Sequence, residues 1–176
     1  TFQSPGDSGG YASYTIDIND YTGSFTGSIV YHDYSSQGIV LSGKADINGT
    51  FDANYQDFTR ITFSFGSLSM NSAGLSVTLV GSLSWGFNYS ASSETLTINM
   101  VLIDNTDSRT YWFRNYELVT NYSGSYLTQT VSGQYYDPDY GYVDFTTETP
   151  LVASSGHVWP SQRALKSTGS HNTWVR

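Results

Sequence analysis

Apolar and polar residues alternate with a period of two almost from end to end of the chain. That period puts successive side chains on opposite faces of an extended strand. The clearest run is Leu75 to Tyr89, where the odd positions read Leu, Val, Leu, Gly, Leu, Trp, Phe, Tyr. The even positions are mostly Ser, Thr, Gly and Asn. Fifteen such residues would span roughly 50 Å unbroken, and Gly86 is a place for a bend. Shorter runs repeat the pattern at Tyr14–Ile18, Phe25–Tyr31, Ile39–Ile47, Phe51–Tyr55, Ile61–Phe65, Leu96–Leu102, Tyr111–Val119, Leu127–Tyr135 and Tyr142–Thr147. The tail adds Leu165 and Trp174-Val175. Leu68 and Met70 fall on the parity opposite to Phe63 and Phe65, so Gly66-Ser67 is the expected site of a bulge.

Turn-forming residues separate these runs at 71–74, 90–93, 104–108, 121–125, 137–141 and 169–172. Asn48-Gly49 is read as a further turn, between strands 39–46 and 50–56. A two-residue loop there would send the two apolar sets to opposite faces. A three-residue loop with Gly49 left-handed instead pairs Asp46 with Thr50 and sets Lys44 opposite Asp52. The prediction is an all-β chain of about eleven to thirteen strands without significant helix. Short connections make it an antiparallel meander, arranged as a sandwich or a curled sheet. Residues 1–10 read as a flexible linker of the kind left by a removed leader, and 11–176 as a single all-β domain.

Composition narrows the class. Of 176 residues, 74 are Ser, Thr, Gly or Asn, and only 12% are charged, about half the usual share. Solubility therefore rests on hydroxyls and amides, a composition common among secreted and surface β-proteins. The net charge is −8, with seven Asp in residues 1–57 against Lys44 alone. Nucleic acid is thus an unexpected partner. The chain has no Cys, which removes disulfides and thiolate metal sites. No apolar run approaches the ~20 residues of a membrane-spanning helix.

Candidate chemistry is sparse. Gly6-Asp7-Ser8-Gly9-Gly10 matches the nucleophile motif of trypsin-like proteases, but that family needs its His and Asp earlier in the chain, and only five residues precede Gly6. His32, His157 and His171 have no partner at metal-ligand spacing. His32-Asp33, next to Tyr31 and Tyr34, is a candidate polar site. Asp104 with Asp107, and Asp137 with Asp139, cluster oxygens in turns. They are weak calcium candidates, because Asp favours turns for its own hydrogen bonds. No other cofactor is expected. No catalytic constellation is visible, and the expectation is a non-enzyme. Three Asn-X-Ser/Thr sequons, at Asn48, Asn88 and Asn121, are near chance in such a chain.

The most distinctive segment is Tyr135 to Val143, where Tyr135, Tyr136, Tyr140 and Tyr142 flank a Pro turn. With Trp159 these are candidates for stacking on sugar rings or anchoring a partner. The stretch Tyr135 to Asp144, with Thr146 to Leu151, Val158-Trp159-Pro160 and Tyr111 to Tyr116, resembles a family of uncharacterised bacterial secreted proteins and lipoproteins. The resemblance covers roughly the second half of the chain and implies an envelope or extracellular location, without an activity. The lipoprotein Cys is missing, which implies a released member or a lost anchor.

The leading expectation is a cell-surface structural or assembly protein, in its sharpest form a filament subunit using β-strand addition. Its partners would be further copies or another surface protein. Phe2, Tyr11, Tyr14, Ile16 and Ile18 are the candidate assembly strand, and a strand-like end at Trp174-Val175 suits the same role. The alternative is a carbohydrate-binding module with exposed Tyr and Trp and a polysaccharide partner. An outer-membrane or lipid-binding barrel is a weaker third reading.

Overall fold

Each alternating run becomes a strand, because its apolar face needs cover and its hydroxyl face does not. The computed structural model describes residues 1–54, 57–154, 162–169 and 174–175, the last two residues and 162–164 by backbone alone. Trp159, His157 and His171 lie outside the described residues. The strands are β1 (Phe2–Pro5), β2 (Gly9–Asn19), β3 (Ser24–Ser36), β4 (Ile39–Asp52), β5 (Asp57–Ser72), β6 (Leu75–Asn88), β7 (Ser93–Asp104), β8 (Arg109–Ser123), β9 (Tyr126–Asp137), β10 (Gly141–Ser154), β11 (Gln162–Gly169) and β12 (Trp174–Val175). They form one antiparallel meander in chain order from β1 to β12, so the two-sheet sandwich is not formed. Among the described residues no helix is long and apolar enough to cross a membrane.

Two compact units divide the chain. One comprises Thr1–Leu83 with Met100–Thr110, the other Ser84–Asn99 with Tyr111–Arg176. In the first unit the register builds alternating cross-strand rows over β2 to β5. Apolar rows are Ala12–Tyr31–Gly43–Leu68, Tyr14–Ile29–Ala45–Phe65, Ile16–Gly27–Ile47–Phe63 and Ile18–Phe25–Gly49–Ile61. Between them lie polar rows such as Thr15–Ser28–Asp46–Ser64 and Asp17–Thr26–Asn48–Thr62. A small residue stands beside large ones in each apolar row, which lets neighbouring side chains interdigitate. Ala12, Phe25, Ala45 and Leu68 are buried on this face, and Val77 of β6 is buried too.

The Asn48-Gly49 turn expected from the sequence is not a turn. β4 runs straight through it to Asp52 and pairs with β5 throughout. The reason is the apolar row: the Phe25 ring lies over Gly49, and a Cβ there would meet both that ring and the Arg60 carbonyl. The chain turns only after Asp52, whose Oδ1 accepts the Asn54 amide at 2.8 Å. Lys44 accordingly sits between Val30 and Ser67 rather than opposite Asp52. It pairs with Asp46 two residues on at 2.7 Å, both half exposed, an interaction worth at most about 1 kcal/mol. The Gly66-Ser67 bulge is present: Lys44 pairs with Ser67 and Ala45 with Phe65, leaving Gly66 extra.

Residues 1–10, expected as a linker, are ordered into the sheet instead. Phe2–Pro5 pair with Tyr11–Tyr14. The Gly-rich motif is the turn between β1 and β2, held by Gly6 N to Gly10 O at 3.1 Å and Ser8 N to Ser35 O at 3.1 Å. Several other connections share one device. Asn19, Asn88, Asp104 and Asp137 each end a strand, and one side-chain oxygen accepts backbone amides two or three residues on. This explains why Asx residues recur at the strand ends.

In the second unit, β8, β9 and β10 carry an apolar face of Phe113, Tyr116, Leu118, Leu127, Val131, Tyr135, Phe145, Leu151 and Ala153. A bulge at Asn115-Tyr116 opposite Gly133 sets the parity of this face. Asn115 takes a left-handed φ of 48°, and its amide donates to Asn99 Oδ1 at 2.7 Å. Gly133, at φ 126°, lies so close to Tyr116 that a Cβ would stand 2.5 Å from its Cα.

Candidate functional site

Two places stand out, one in each unit. In the first, β1 covers only Tyr11–Tyr14 of β2, so among the described residues Thr15–Asn19 has β3 on one side and no strand on the other. Ile16 and Ile18 project there with more than half their surface exposed. They border an apolar hollow of about 810 Å³, which Phe25, Phe51 and Phe58 also line. Phe58 meets both other rings edge-on, at 5.4 and 5.8 Å between centroids. An open strand edge beside an apolar hollow is the arrangement that accepts an added strand.

The candidate assembly residues are thus split by the structure. Phe2 stacks on Tyr14 at 5.7 Å and Tyr11 on His32 at 4.3 Å, so these rings are engaged within their own sheet. Ile16 and Ile18 alone lie on the open stretch. His32-Asp33 forms the bulge of β3 against β4, while on the other side His32 stays in register with Tyr11, and Asp33 accepts from Ser42 Oγ at 2.5 Å.

In the second unit Tyr135 and Tyr136 part company. Tyr135 joins the apolar face against Phe113 at 5.0 Å. Burial, followed by the Asp137 charge, holds its phenol above the ordinary range. Tyr136 points to the polar face, where Trp112 packs on it at 5.0 Å. Trp112, Tyr136 and Tyr142 form one row across β8, β9 and β10. The next row on the same face is Arg114–Gln134–Asp144, in which Gln134 Nε2 donates to Asp144 Oδ1 at 2.9 Å. Tyr140 stands on the turn, 83% exposed, apart from that row.

The calcium candidates act in turns. Asp104 Oδ1 accepts the amides of Thr106 and Asp107, and Asp137 Oδ1 those of Asp139 and Tyr140. Among the described residues no three His, Asp or Glu side chains gather to hold a metal ion. Sequence reasoning missed Glu94, whose two oxygens accept from Tyr122 OH at 2.5 Å and Trp85 Nε1 at 3.3 Å. Nothing in the one-dimensional pattern pairs those three positions. The chain matches no family model, no curated protein and no solved structure.

Proposed function

We propose that this chain is a non-enzymatic structural protein of the extracellular space or cell surface, assembling head to tail by strand addition. The observation that carries the reading is the open Thr15–Asn19 stretch of β2 with its neighbouring hollow. The occupant is the β11 edge of a second copy. Among the described residues β12 pairs with β11 only at Ser167 and Thr168, so Gln162–Lys166 is open in the same stepped way. Charge favours the match. The β2 stretch carries Asp17, with Asp20 just beyond, whereas residues 149–176 hold Arg163, Lys166 and Arg176 and no acid. Alternation favours it too: Leu165 lies in register with Thr147 on the apolar side and Lys166 with Thr146 on the polar side. Matching apolar faces then sets Leu165 with Ile16 and Ile18, and Lys166 on the side of Asp17. Pairing β2 with β2 of a second copy about its centre would oppose Asp17 to Asp17, a like-charge pair. A join between two different edges runs head to tail and repeats, and where its rotation does not close a ring it grows a filament. The low charge, the hydroxyl-rich face and the resemblance to bacterial envelope proteins support the location.

Sedimentation and electron microscopy of the intact chain test this. Growth of oligomers or filaments with concentration is expected, weakened by salt and by Asp17→Lys. A wild-type chain that stays monomeric at every concentration, or Asp17→Lys assembling like wild type, overturns it.

A further inference from the structure

Rings belong to the apolar face of these strands, and Trp112, Tyr136 and Tyr142 break that rule. Around them the face carries Arg114, Glu117, Ser132, Gln134, Asp144 and Thr146, with Val119, Val152 and Tyr126 farther along it. Places where a regular pattern fails are where function is expected to have overridden folding. Packing between Trp112 and Tyr136 accounts for part of the burial of one ring. It leaves Trp112 46% and Tyr142 40% exposed. Beside the row lies a hollow of about 440 Å³, lined by Arg114, Ser132, Gln134, Asp144 and Thr146 among others.

We infer that the β8–β10 polar face binds a neutral linear glycan, its rings stacked on Trp112, Tyr136 and Tyr142 and its hydroxyls bonded to the Arg114–Gln134–Asp144 row. Three neighbouring strands set the outer rings about 10 Å apart, the length of a disaccharide. A sugar offers both surfaces that this face asks for. Its C–H face covers an aromatic ring, and its hydroxyls donate to Asp144 and accept from Arg114 and Gln134. A purely apolar partner would cover the rings but strip water from the adjacent polar row without replacing its hydrogen bonds, which is costly. Against Arg114 stand Glu117 and Asp144 on the same face, which disfavours an anionic ligand and suits a neutral one. This site lies on residues distinct from the β2 edge and stands whether or not the chain assembles.

The test is calorimetry of the intact chain with four probes: cellohexaose, chitohexaose, mannohexaose and xylohexaose. Saturable binding of at least one is expected, weakened about tenfold by Trp112→Ala and less by Trp112→Phe. Trp85→Phe, which alters an exposed indole elsewhere, should leave it unchanged. Tyr142→Ala, at an exposed position, repeats the test if Trp112→Ala fails to fold. Measuring the same binding in Asp17→Lys separates this site from assembly. Absence of binding to all four probes, or binding indifferent to both ring deletions, overturns the inference.

Discussion

Glu94 ties three strands together through two aromatic tips, Trp85 from β6 and Tyr122 from β8. The hydrogen bond that Tyr122 donates is the main cause that pushes its phenol up to about 12, with burial and the carboxylate's charge adding to it. The donating form is the protonated one, so folding favours it. Its contribution to stability is complete below about pH 10, the ordinary phenol value, and is lost as the pH rises through about 12. The stability difference between wild type and Tyr122→Phe should therefore be constant up to pH 10 and shrink above it. Urea unfolding at stepped pH values measures this, and a difference unchanged through pH 12 would refute the assignment. At this scale the sequence was only partly legible. Asp104 and Asp137 read first as turn formers and only weakly as metal ligands, and the amides they accept show the turn role. Tyr111-Trp112-Phe113 and Tyr135-Tyr136 carried a clearer signal. Consecutive rings on a strand must send at least one to the wet face.

Strands were the most legible level, because period two is a local property and nearly every run in it became a strand. The Gly66 bulge was legible for the same reason, since the apolar parity changes across it. The hairpin at Asn48-Gly49 was not, because a turn signal is local while the row of Phe25, Gly49 and Ile61 is assembled from three strands. What Gly49 supplies is room under a ring, which no window of sequence around it reveals. The bulge offers a direct test of register. Deleting Gly66 would turn Leu68 and Met70 to the polar face, or else shift every pair beyond Lys44 by one residue. With Leu68 buried, the expected loss is about 2–5 kcal/mol, read as a lower urea midpoint. A deletion variant as stable as wild type would mean that the bulge does not set the pairing of β4 with β5.

Across the whole chain every strand pairs with its neighbours in sequence, so contacts are local and loop closure costs little. Such a meander can order one hairpin after another as the chain emerges. The edges were half legible. The sequence placed Phe2, Tyr11, Tyr14, Ile16 and Ile18 together on a donated strand, whereas Phe2–Pro5 is already docked on β2 and only Ile16 and Ile18 lie on its open stretch. In the proposed assembly the stepped edge of β2 is the acceptor. Because its counterpart at β11 is chemically different, a growing filament would have two unlike ends. A copy carrying Asp17→Lys keeps a normal β11 edge and has a damaged β2 edge, so it can join one end and then blocks the next addition. Mixed with wild type in small amounts, it should shorten filaments out of proportion to its share, as a chain terminator does in a polymerisation. Filament lengths in micrographs that fall no faster than simple dilution would argue against directional growth.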